Sequence, residues 1–189
     1  MRKPLGSLAE IRVGHSFRSK IEHDPQGDIR VLQIRDVRSG VKILPDALPR
    51  MAWTANSKPP LLKQGDLVLP SRGDRYDVAL IQDQAPMIAS GQLYIVHPSH
   101  PGLSPEYLCW YLNQPESRNY LLKNRAGTGI PTLSRPVLGD LPVPVPSLPM
   151  QHKIVELQRL WQQEQSLTQQ LLTNRQKMLD GTFSKFLES

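Results

Sequence analysis

The sequence is short of what secreted, membrane and many catalytic proteins require. It has one cysteine, Cys109, in 189 residues, so no disulfide can close within the chain. Cys109 lies in LCWYL, among large apolar side chains, and reads as a small buried hydrophobe, not a reactive thiol. That usage suits a reducing cytoplasm, the compartment expected here. No run of about 18 apolar residues occurs, so no membrane-spanning helix is expected. The N-terminus, MRKPLGSLAEIRVG, is basic but has no apolar block behind it, so a secretory leader is not expected.

Catalytic signatures are also missing. The Asn/Asp-Pro-Pro-aromatic motif of adenine methyltransferases does not occur, since SKPPLL (Ser57–Leu62) lacks both the amide and the aromatic. No glycine-rich cofactor loop follows a strand, and no phosphate-binding loop is present. His97 and His100 stand in HPSH without a third ligand and read as proline-stiffened surface histidines, not as a metal site. No Ser/His/Asp or Cys/His set can be brought together from spacing. A non-enzymatic protein with no cofactor and no metal is the expectation.

What the chain has is positive charge, proline and one long segment suited to a helix. Lys and Arg outnumber Asp and Glu by 23 to 17, a formal charge of +6. Most of the excess falls in residues 1–149, where 18 basic residues face 13 acidic ones. A basic body favours an anionic partner, nucleic acid first. Asp28–Gly40 and Gly91–Pro98 carry the β-branched composition of strands, as does the stretch around Leu67–Leu69. In SPEYLCWYLNQP, Ser104 is placed to cap a helix and Pro105 fits its first turn, with Leu108, Tyr111 and Leu112 facing inward. A second helix is expected over Glu116–Arg125.

GTGIPTLSRPVLGDLPVPVPSLPMQ, from Gly127 to Gln151, packs six prolines into 25 residues. Its L-P-V-P-V-P-S-L-P portion cannot be helical and is at most an edge strand or a polyproline segment. It reads as a stiff strut fixing the angle between the body and the C-terminal segment. That segment is free of glycine and proline until Gly181. Ile154, Leu157, Trp161, Leu167, Leu171 and Met178 fall mainly three and four apart in it, an apolar stripe that needs a partner helix. The expected architecture is α+β: a mixed domain over 1–149, then a long coiled-coil-type helix and tail over 150–189.

These pieces, in order, resemble one half of the specificity subunit of a type I restriction-modification enzyme. The resemblance rests on LGSLAEIRVG, VLQIRDVRSG, LLKQGDLVLPSRG, GQLYIVHP and LSPEYLCWYLN, and above all on GTGIPTLSRPVLGDLPVPVPSLPMQHKIVELQRL. It covers nearly the whole chain. It implies a target-recognition domain that reads half of a split site in double-stranded DNA. It also implies a helix that binds the DNA methyltransferase subunit and pairs with a copy of itself or with a second recognition half. The chain departs from the pattern in carrying one recognition domain and one long helix. The alternative is a helix-mediated scaffold that binds a methyltransferase or its own copy without reading DNA.

Three loops hold the residue types DNA contact requires. The first offers Arg18 and Lys20, the second Ser71, Arg72 and Arg75, and the third Lys123, Arg125, Thr128, Ser134 and Arg135. Each loop has a plainer reading: a solvated turn, or arginines neutralised by Asp74 and Asp77. Arg35 and Arg38 either face the same groove or pair with Asp36.

Overall fold

The structure, a computed structural model, describes residues 2–17, 20–37, 42–55, 57–127 and 129–187. It divides into two compact units, Met1–Leu148 and Pro149–Ser189. The first is strand-rich with short helices, and most of a long helix makes up the second, an α+β fold. Its strands in chain order are β1 (Arg2–Pro4), β2 (Ala9–Val13), β3 (Ile29–Leu32), β4 (Arg50–Met51), β5 (Leu67–Pro70), β6 (Ala79–Leu80), β7 (Met87–Ala89), β8 (Leu93–Pro98) and β9 (Pro142–Pro144). The helices are α1 (Pro105–Leu112), α2 (Pro115–Lys123), α3 (Arg135–Gly139) and α4 (Leu148–Leu187).

An antiparallel sheet ordered β2-β8-β5-β6 forms the centre of the first unit. β5 and the first four residues of β8 are buried along their whole length, so both faces of the sheet are covered there. The period-two alternation of a strand sorts the two faces. Val68, Leu93 and Ile95 join the core cluster with Leu32, Val37, Ile81 and Met87, while Leu67, Leu69 and Val96 turn the other way and are also fully buried. Burying each of these side chains contributes about 1.5–3 kcal/mol. A second sheet, β4-β3-β7, pairs β3 with β7 in parallel. The strand expected within 28–40 ends at Leu32, because the Asp36 carboxylate captures the Gln33 amide at 2.9 Å and winds Ile34–Asp36 into a 3-10 turn.

α1 starts as its sequence dictates. The Ser104 hydroxyl accepts from the Tyr107 amide at 3.3 Å, and Pro105 occupies the first turn. Tyr107, Leu108, Tyr111 and Leu112 are the buried face. Two of these tyrosines hold the proline segment. Tyr107 Oη donates to the Pro144 carbonyl at 2.9 Å and Tyr111 Oη to that of Pro142 at 2.8 Å. Prolines offer no amide to a ladder, so β9 pairs with β1 at the edge of the fold, with Val143 fully buried between its two prolines. Part of the expected strut is thus an edge strand of the body.

One buried acid fixes the turn into β5. Asp66, fully buried, accepts from the Lys63 amide and from Arg12 Nη2, both at 2.9 Å, and lies 2.8 Å from His97 Nδ1. His97 thus belongs to a structural ion-pair cluster. Among the described residues no group of three His, Cys, Asp or Glu is placed to hold a metal ion.

α4 has 40 residues, about 60 Å at 1.5 Å per residue. It opens at Leu148, so the last two residues of the proline portion, Leu148 and Pro149, are helical after all. Pro149 sits in the first turn, where its missing amide costs nothing. The sequence predicts an end near Gly181, but the helix continues through it to Leu187. A glycine inside a helix costs about 1 kcal/mol and does not by itself end one. Among the described residues no helix is long and apolar enough to cross a membrane.

Candidate nucleic-acid interface

The second and third predicted loops fold onto each other. The second leaves β5 at Ser71, and the third leaves α2 and runs to Ser134. The Leu133 amide donates to the Ser71 carbonyl at 2.8 Å and the Gly73 amide to that of Pro131 at 2.8 Å. Within the third loop, Ala126 and Thr132 exchange amide-to-carbonyl bonds of 2.9 and 2.7 Å, a small hairpin that needs Gly127 at φ +108°. From below, the buried Tyr94 hydroxyl donates to the Leu133 carbonyl at 2.8 Å. Charge completes the join, with Arg125 Nη1 2.7 Å from Asp74 Oδ1. The two loops are one platform.

The first loop is pinned to the turn before β8. Gly14 and His15 donate their amides to the Leu93 and Ala89 carbonyls at 2.9 and 2.8 Å. A Cβ on Gly14 would lie 2.1 Å from the Ser90 carbonyl oxygen, so only glycine allows this approach. The same turn reaches the platform, because both the amide and the hydroxyl of Ser71 donate to the Gln92 carbonyl at 2.9 Å. The described parts of all three loops are therefore contiguous through Ser90–Gln92. Between the first loop, the 33–35 turn and this junction lies a cleft of about 420 Å³ whose lining includes Phe17, Lys20, Gln33, Ile34, Arg35 and Gln92.

The family model for the type I restriction modification DNA specificity domain matches residues 1–174. The chain belongs to this family. Its fold agrees with solved members of the type I restriction-modification system. The S subunit from M. genitalium matches at TM-score 0.60 and 15% identity, over 86% of this chain and 39% of that one. The HsdS subunit from Thermoanaerobacter tengcongensis matches at TM-score 0.61 and 22% identity, over 87% and 37%. A chain from work on complex assembly and conformational transition of the type I R-M system matches at TM-score 0.64 and 20% identity, over 88% and 39%. The chain thus spans less than two fifths of each of these proteins. No curated protein matches it.

The predicted contact residues of this specificity domain divide by their surroundings. Lys20, Lys123 and Arg135 are exposed, and Arg72 is half-buried in a bridge to Thr132. Arg75 is exposed but sits 3.2 Å from Asp77 Oδ2, an ion pair without hydrogen-bond alignment. Asp77 neutralises Arg75 as expected, but Asp74 pairs with Arg125 and not with Arg72 or Arg75. Asp77 itself is buried and accepts from Arg118 Nη2 at 2.8 Å. Two hydroxyls serve the fold: Ser71 ties the platform to Gln92, and Ser134 caps α3 by accepting from the Val137 amide at 3.4 Å. Arg18, Arg38 and Thr128 lie outside the described residues.

Sequence reasoning missed Gln92 and Gln33, which it read as parts of strands. The available signal was that each borders a strand at a turn. Cys109 is half-buried, short of the full burial expected; burial pushes its thiol up to about 12, against an opposing hydrogen bond from Asn113, and its Sγ donates to the Val78 carbonyl at 3.6 Å.

On α4, Leu157, Trp161, Leu167, Leu171 and Met178 are each at least half exposed, from 50% to 73%, and Ile154 is half-buried.

Proposed function

We propose that this chain recognises a short DNA sequence as the specificity component of a type I-like restriction-modification complex, positioning a methyltransferase subunit on double-stranded DNA. One observation carries the reading furthest: three loops far apart in sequence, rich in Lys and Arg, are contiguous in a domain of the DNA specificity family. The platform cations Arg72, Arg75, Lys123 and Arg135 hold the phosphates, which sets orientation without reading sequence, and Arg125 aligns the platform through its pair with Asp74. Arg18, Lys20 and Thr128 belong to the same surface in this reading, with Ser71 and Ser134 shaping it. Catalysis and the methyl donor belong to another subunit, and this chain supplies no cofactor.

α4 supplies the assembly surface. Five large apolar side chains at about 1.5–3 kcal/mol each are costly to leave in water. Ile154, Leu157, Trp161, Leu167, Leu171 and Met178 pack against a second helix, from another copy, a second recognition half or the methyltransferase subunit. The test is fluorescence anisotropy of a labelled random-sequence duplex titrated with the full chain, with and without a type I methyltransferase subunit. Binding that weakens steeply with salt supports the proposal; a flat response in both arms refutes it.

A further inference from the structure

Sequence is read by planar amide and guanidinium groups aimed at base edges, and the platform has few to spare. Arg125 is paired with Asp74 at 2.7 Å and Arg75 with Asp77 at 3.2 Å. The cleft differs. Gln92 has its main chain fixed by two 2.9 Å bonds from Ser71 to its carbonyl, and β8 begins at the next residue. Its side-chain amide has no hydrogen-bond partner among the described residues, and it lines the cleft. Across the cleft, Arg35 rides on the 3-10 turn that Asp36 locks through the Gln33 amide. Its side chain is 69% exposed, and its nearest carboxylate oxygen, on Asp36, is 3.8 Å away, beyond hydrogen-bond reach. A spare planar group on a pinned backbone is what accurate reading requires. Phe17 and Ile34 give the cleft apolar walls, and Lys20 a cation.

Resting on the DNA-recognition reading above, we infer that this cleft is the base-reading part of the interface. Gln92 specifies an adenine through its N6 and N7, and Arg35 specifies a guanine through its O6 and N7, the pairings their donor patterns allow. Lys20 holds a neighbouring phosphate. The platform anchors the duplex, and the cleft decides which sequence is kept.

The test is enrichment from a randomised duplex pool by the full chain and by Gln92→Glu, Gln92→Ala and Arg35→Gln. A glutamate only accepts, so Gln92→Glu moves one motif position from adenine to cytosine, whose N4 donates. Arg35→Gln moves another from guanine to adenine. Gln92→Ala loses its preference and gains none. At each affected position the original preference falls by about 5- to 150-fold. Thermal melts that match the unmodified chain show the variants fold. If the unmodified chain enriches a motif and the variants enrich the same one with equal preference, the inference is overturned and DNA recognition stands. If the unmodified chain enriches no motif, both fall.

Discussion

Arg125 and Asp74 meet at 2.7 Å across two loops that are 51 residues apart in sequence. The aspartate is 81% exposed, the arginine 31%. This pair both aligns the platform and withholds a cation from DNA. Asp74→Asn should release Arg125 and raise affinity for random duplex by up to about eightfold near 0.1 M salt, the value of one added phosphate contact. Because the pair is exposed, the stability change should stay within about 1 kcal/mol. Arg125→Ala should weaken binding instead. Anisotropy titrations paired with thermal melts separate the two effects.

Salt dependence should count the contacts. If Arg72, Arg75, Lys123 and Arg135 each hold a phosphate, log K should fall with log salt at a slope of about −3.6, or roughly 150-fold between 50 and 200 mM. Arg72→Glu should make the slope shallower by about one or more. Titrations at four salt concentrations measure it.

Local features were legible in the sequence and long-range ones were not. α1 could be placed from Ser104, Pro105 and the spacing of Leu108, Tyr111 and Leu112, because a helix start is built from neighbours in sequence. β5 and β8 announced themselves as apolar runs bounded by turns. β7 did not: three residues, Met87–Ala89, become a strand only by pairing in parallel with β3, more than 50 positions earlier. α3 was hidden inside the proline segment, where Pro136 and Gly139 read as breakers; Ser134 as its cap was the missed signal. In the candidate site, charge marked three loops that the fold brings together. It could not show that Asp74 pairs with Arg125, or that Gln92 joins the loops, since those contacts exist only once distant segments meet.

Cys109 offers a check on the packing under α1. Its thiol is raised from an ordinary 9.0 to about 12 by burial. Below pH 9 it is neutral whether folded or unfolded, so that contribution to stability is complete. Above pH 9 the unfolded chain ionises first, and the contribution is lost as pH climbs towards about 12. Thermal midpoints should fall over that window, less steeply for Cys109→Ala than for the unmodified chain. At pH 8, iodoacetamide should label the folded protein slowly and the urea-unfolded protein quickly.

The stripe on α4 should govern assembly. Leu157→Asp combined with Leu171→Asp should abolish self-association in sedimentation velocity, or association with a methyltransferase subunit if that is the partner, with the strand signal in circular dichroism intact. If two copies pair, a twofold axis relates their recognition domains, and the preferred target is an inverted repeat of two identical half-sites. A stable monomer that also fails to bind the methyltransferase would contradict the assigned role of Leu157 and Leu171.

Sequence recognition itself is measured most directly by competition: labelled duplex carrying the motif enriched from a random pool, challenged with unlabelled scrambled duplex at about 150 mM salt, using the full chain and the methyltransferase subunit. The account predicts that scrambled DNA competes at least 1,000-fold less well than the enriched motif, the low end of specific over non-specific binding. Equal competition by both duplexes would contradict it.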